Sequence, residues 1–203
     1  MSCAMSCGCT VPVGGIANIG LPKQLRDVLE NMKNRGANMQ AEAIFTFFWE
    51  GHSDLDIWVR HKETGEIVSY TNRTNATLGM VLDVDANANT SGLVNNPIEN
   101  IGITSSARTP DGTYELYLNN YANRNSGHNF FNVLIAFKKE GENFFRNVAW
   151  FRNSKSFDAA NVSGEFSQML KVTDIVKQGK KYSLTNLTDT LEKVYTTKEF
   201  IVG

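Results

Sequence analysis

The sequence predicts an all-β protein, a sandwich or barrel of short antiparallel strands with one N-terminal helix. Three observations carry this. From Ala43 onward, short runs rich in β-branched and aromatic residues are broken every few positions by Gly, Pro, Asn or Asp. Only one segment, around Leu21 to Met32, places apolar residues at helical spacing. At 203 residues the chain can bury its own core, and its three cysteines, Cys3, Cys7 and Cys9, stand together near the start where they cannot staple one.

In chain order, residues 1–20 are rich in Gly, Ser, Cys and Ala without any period and read as a flexible arm. Residues 21–36 form the helical unit. Pro22 suits a first turn, Leu21, Leu25, Val28, Leu29 and Met32 make one apolar stripe, and Gly36 is placed to cap, so the helix runs from Pro22 to Asn34. Residues 43–138 form the β-sandwich module, with strands expected at 44–50, 55–61, 67–71, 77–83, 98–104, 112–119 and 129–138. In the run Phe130 to Phe137 the period-2 alternation is nearly lost, which predicts a strand covered on both faces. Residues 139–203 add strands at 144–152, 164–172, 180–184 and 194–202. They are expected to pack on the same domain, although a small sheet of their own is also compatible with the sequence.

Composition narrows the function classes. Lys and Arg number 20 against 21 Asp and Glu, a net charge of -1, so no basic surface is available to hold a nucleic acid backbone. No apolar run reaches the roughly 20 residues of a membrane span, and Met1 to Met5 has neither a basic nor an apolar leader, so neither a transmembrane anchor nor an ordinary secretory signal is expected. The cysteines lack a fourth ligand at metal-site spacing. His52, His61 and His128 accompany no hydrolase elbow, zinc-protease or P-loop pattern, and are expected at the surface or at strand edges. No enzymatic activity is expected from these features.

The acidic residues are the distinctive feature. Asp54 and Asp56 flank Leu55 at a strand start, and residues two apart on a strand share a face. Asp83, Asp85 and Asn87 follow a second strand into an Asn-rich loop, and Glu99 stands where the chain re-enters the sheet. Carboxylates gathered in this way repel unless a cation lies among them, and a hard ion such as Ca2+ takes about six to eight oxygens of this kind. An EF-hand is excluded, because Ala88 and Val94 occupy the positions of its turn glycine and its bidentate glutamate. Any calcium site therefore draws on strand ends distant in sequence. The alternative is that these residues only cap loops.

Five short motifs in order carry a family resemblance. Trp49 is followed by Asp54-Leu55-Asp56-Ile57, then by the turn Thr64-Gly65-Glu66, then by Leu82-Asp83-Val84-Asp85, Glu99-Asn100-Ile101 and Asp111-Gly112-Thr113-Tyr114. Over roughly 43–120 the chain resembles the YfaP-like family of bacterial and phage β-sandwich domains. The resemblance implies a jelly-roll-like sandwich without established enzymatic activity, and a divalent-cation site on Asp54, Asp56, Asp83, Asp85 and Glu99; the loop composition adds Asn87 as a candidate amide-oxygen ligand. The Asn-rich loop after Asp85 departs from the Gly-rich loop usual in the family.

The expected role is a calcium-stabilised structural or attachment module whose arm and helix meet protein partners in a larger assembly, a phage particle or a cell-surface complex in preference to the cytoplasm. Self-association is compatible with it. Two alternatives from other classes remain at this stage. One is glycan recognition by cation-ordered loops, and the other is polysaccharide hydrolysis by a carboxylate pair such as Glu50 with Asp54 or Asp56.

Overall fold

The structure, a computed structural model, describes residues 22–125, 128–139, 142 and 145–197. The arm, and with it the three cysteines, lies outside the described residues.

Helix α1 spans Lys23–Asn34. It buries Leu25, Leu29 and Met32 against Ala41, Ile44, Ile98, Leu134, Ala136, Val148 and Trp150. Its apolar stripe is therefore spent on the sandwich itself. The helix ends as the sequence predicts: Gly36 adopts φ 91°, its N–H donates to the Lys33 carbonyl, and the Ala37 N–H reaches back to the Met32 carbonyl. No atom crowds a Cβ at this position, so the backbone angle alone demands glycine. Gly36→Ala is expected to cost about 1 kcal/mol in urea denaturation; an unchanged midpoint would show that the cap does not need the left-handed conformation.

Among the described residues twelve strands follow: β1 (Ala43–Trp49), β2 (Asp54–His61), β3 (Ile67–Val68), β4 (Thr74–Asn75), β5 (Met80–Val84), β6 (Ile98–Ile103), β7 (Gly112–Ala122), β8 (Phe131–Lys138), β9 (Phe145–Asn153), β10 (Leu170–Gln178), β11 (Lys181–Thr185) and β12 (Leu191–Thr196). They form a seven-stranded sheet in the order β12-β9-β8-β1-β6-β5-β4 and a five-stranded sheet in the order β11-β10-β7-β2-β3. Every pairing is antiparallel. The pairings β1 with β8, β2 with β7 and β5 with β6 are nested, the jelly-roll pattern of a long hairpin wrapped onto two sheets.

The core between the sheets follows from alternation. Phe45 and Phe47 of β1, Leu55, Ile57 and Val59 of β2, Leu116 and Leu118 of β7, and Val133 and Ile135 of β8 all point inward and are completely buried. Phe47 meets Phe131 edge-on at 5.6 Å between ring centres. The lost alternation in β8 has the predicted cause: Val133, Ile135 and Phe137 face the core, while Leu134 and Ala136 lie under α1.

The C-terminal strands complete both sheets. β9 and β12 extend the larger sheet beyond β8, and β10 and β11 extend the smaller one beyond β7. Several boundaries differ from the sequence reading. The strand expected at 164–172 is replaced by a 3-10 turn, Phe166–Gln168, followed by the later β10. The strands expected at 67–71 and 77–83 are shorter, because this corner is built of tight turns, with Leu78 and Gly79 between β4 and β5.

Two local features shape the corner where β5 and β6 lie over β2. First, β3 pairs only with Val59 and Arg60, so among the described residues no strand covers the edge of β2 from Asp54 to Ile57. Second, the register of β5 against β6 slips between Leu82 and Val84, a β-bulge. It leaves Leu82 in the core while Val84 packs beneath α1.

Candidate functional site: a buried acidic corner

An uncovered strand edge inside a protein leaves backbone N–H groups that must find acceptors. Glu99 supplies one. Its side chain projects from β6 toward the smaller sheet, and Oε2 accepts the Ile57 N–H at 2.5 Å, so the carboxylate substitutes for the missing strand neighbour. Beside it, Asp56 of β2 accepts from the Asn119 amide of β7 at 3.0 Å, the two residues being paired directly across the strands. Asp54 lies two residues earlier, and Asp85 comes from the chain just after β5. Glu99 is 0% exposed, Asp54 2% and Asp56 4%. The carboxyls of Glu99 and Asp85 lie within hydrogen-bonding reach of each other.

Two guanidinium groups meet this corner. Arg124, from the β7–β8 connection, places Nη2 3.2 Å from Asp54 Oδ2 and donates from Nη1 to the Asn87 carbonyl. Its backbone N–H is held by the Ser53 hydroxyl at 3.1 Å, which ties the β7–β8 and β1–β2 connections together. Arg73 places Nη1 2.7 Å from Asp85 Oδ2 at the solvent side. With all four carboxylates ionised, these two cations leave the group two charges negative.

Burial is the main influence on the carboxyls. It pushes Asp54 up to about 6, with Arg124 opposing and the Asp85 charge adding to the rise. It pushes Asp56 up to about 8, with the Asn119 hydrogen bond opposing and Asp54 and Asp85 contributing. Glu99, wholly enclosed, is held well above the usual range by burial and then by the charges of Asp56 and Asp85. The corner therefore holds protons at neutral pH.

Several oxygens are left without a donor. With the carboxyls ionised, Asp54 Oδ1, Asp85 Oδ1, Glu99 Oε1 and Asn119 Oδ1 are buried with no N–H or O–H of the described residues to serve them. Such atoms are costly unless something positive reaches them. The donor set is entirely oxygen, the chemistry of a hard cation. The spacing falls short of a preformed shell: among the described residues, no three His, Cys, Asp or Glu side chains are arranged to hold a metal ion as they stand.

Of the six residues the sequence singled out, four converge: Asp54, Asp56, Asp85 and Glu99. Asp83 does not join them. It sits at the bulge on the side of the sheet facing the chain after α1, where it accepts from the Asn38 N–H at 2.7 Å and the Asn100 amide at 2.8 Å. Asn87 is close by, with φ 63°, but its side-chain oxygen is taken by the Val94 N–H at 2.9 Å, so it shapes the loop and offers no free amide oxygen. Three participants were not foreseen. Arg124 and Arg73 come from connections with no motif of their own, and Asn119 lies on β7 opposite Asp56, a position found only from the pairing of β2 with β7. Glu50, considered as half of a hydrolytic pair, is exposed and lines a separate groove beneath α1. His61, expected near the surface, is 2% exposed, with Nδ1 on the Thr64 hydroxyl at 2.9 Å.

Compared with protein-family models, with curated proteins and with solved structures, the chain matches none.

Proposed function

We propose that the protein is a non-catalytic β-sandwich module, structural or attaching in role, whose acidic corner is completed by one calcium ion. The observation that carries this reading is the facing pair Glu99 and Asp85, with unserved oxygens on both and on Asp54 and Asn119, beside the raised carboxyl of Asp56. Glu99 and Asp85, reaching from the larger sheet, and Asp54, Asp56 and Asn119 of the smaller one would hold the ion, and the side chains close on it as protons leave. Bound there, calcium supplies the missing positive charge and fastens the two sheets at the edge that β3 leaves open.

A non-catalytic role is supported by access. Asp56 and Glu99, at 4% and 0% exposure, are too enclosed to touch a polymer. The likeness of the five motifs to the YfaP-like sandwiches points the same way. Because α1 spends its apolar face on the sheet, attachment falls to the arm and to the polar side of the helix, on which Lys23 and Asp27 pair at 2.7 Å.

Calorimetric titration of calcium into chelator-treated protein tests the reading, with a thermal melt in parallel. At a hundredfold excess over Kd the ion adds about 2.7 kcal/mol of stability, which for a chain of this size is roughly 5–10 °C in Tm. Glu99→Gln is expected to remove both the heat and the shift. Neither heat nor shift with the unaltered protein would end the calcium reading.

A further inference from the structure

Next to the acidic corner, the end of α1, the β3–β4 connection and the β5–β6 loop line an open polar cavity of about 430 Å³. Its walls include Arg35, Arg73, Asp83, Asp85, Asn89 and Ser91. Arg35, the residue that caps α1, spends only Nε, on the Asn31 side chain at 3.0 Å. No carboxylate of the described residues lies within salt-bridge distance of it, yet it is half-buried and its charge is disfavoured by that burial. Arg73 is paired through Nη1 alone and is half exposed toward the opening. The lining thus includes one guanidinium without a counter-ion and a second that is only partly paired.

The rest of the lining is of a different kind. Asn89 and Ser91 are exposed on the β5–β6 loop with no hydrogen-bond partner among the described residues. These are groups that hydrogen-bond hydroxyls, and the carboxylates of Asp83 and Asp85 repel a multiply charged anion. The space also exceeds what an inorganic anion needs and falls within the range of about 300–1,000 Å³ that small organic ligands occupy. A ligand that matches both kinds of group has one negative end and a body of hydroxyls.

We propose that this cavity binds an acidic sugar, a hexuronic or sialic acid residue, with its carboxylate on Arg35 and Arg73 and its ring hydroxyls on Asn89 and Ser91. A planar carboxylate takes two parallel hydrogen bonds from one guanidinium, and the terminal nitrogens of Arg35 are free to give them. The positive charge comes from the protein, so the sugar site is independent of the calcium reading and operates in chelator as well as in calcium.

Saturation-transfer NMR on the full chain, with galacturonic acid, N-acetylneuraminic acid, galactose and acetate as separate probes in calcium and in EGTA, tests it. At least one of the two acids is expected to bind under both conditions, more tightly than acetate, while galactose does not. Arg35→Gln, checked for folding by its melting curve, is expected to weaken acid binding by about 10- to 100-fold. Asn89→Ala, on the exposed loop, is expected to weaken the acid sugar by about 3- to 10-fold and leave acetate unchanged. Absence of binding by both acids, equal binding of galactose, equal binding of acetate, or indifference to Arg35→Gln would each overturn the proposal. Binding that survives in EGTA while the calcium titration is silent would overturn the cation reading alone.

Discussion

In a metal chelator, the protein is expected to lose stability steadily as the pH rises from about 5 to 8. Asp56 titrates at about 8 in the folded state and Asp54 at about 6, both above their unfolded values, with burial as the leading cause. The folded chain therefore holds more protons than the unfolded chain across this range, and stability falls wherever that is so. The contribution of these groups is complete below about pH 4, where both states are protonated, and is lost as the pH passes the folded values. The loss is on the order of 4 kcal/mol, a large share of a typical domain's stability. Urea denaturation in EGTA at pH 5, 6.5 and 8 reads it directly. Asp56→Asn, which is neutral at every pH and keeps the shape of the side chain, is expected to flatten the profile. Calcium is expected to reverse the trend, because the ion competes with the same protons and binds more tightly as they leave. Stability that rises with pH in EGTA would mean that the corner is open to water.

Removing the guanidinium beside Asp54 gives the second large effect. Arg124 is the cation that reaches Asp54 Oδ2, and it also holds the Asn87 carbonyl at the root of the β5–β6 loop. Arg124→Ala leaves a buried carboxylate without its partner, which costs about 3 kcal/mol in metal-free protein at pH 8. The same substitution is expected to cost less at pH 5, where Asp54 takes up a proton, and less in calcium, where the ion supplies the lost charge. Arg124→Lys restores the charge without the two-point reach to Asp54 and Asn87, and is expected to recover part of the loss. Equal losses at both pH values and in calcium would reduce Arg124 to a brace for the loop.

The two predictions share one physical basis, which is that the acidic corner is a charge problem solved in different ways under different conditions. Protons solve it at low pH and Arg124 solves part of it at all pH values. In the calcium reading proposed above, a divalent ion solves it at high pH.

Parts of this were readable beforehand. The helical spacing of Leu25, Leu29 and Met32 gave α1 its length and its buried face, and Gly36 its end, because these depend on neighbours within two turns. The fading alternation of Phe131 to Phe137 announced a strand covered on both sides. The pairing of Asp54 and Asp56 on one face needed only the two-residue period of a strand. The shifted β10 was missed because the apolar run around Phe166 to Leu170 suits a strand as well as a turn, and the choice was made by pairing with β7.

What the sequence by itself determined is the class of the protein, its single helix, most of its strands and the oxygen chemistry concentrated around 54–56 and 83–99. What only the tertiary structure decided is which of those oxygens meet. A one-residue slip against β6 sends Asp83 toward the chain after α1 and leaves Asp85 facing Glu99, and a β3 too short to cover β2 opens the edge that Glu99 fills. Both depend on register between strands far apart in the chain, and local propensity carries no information about register.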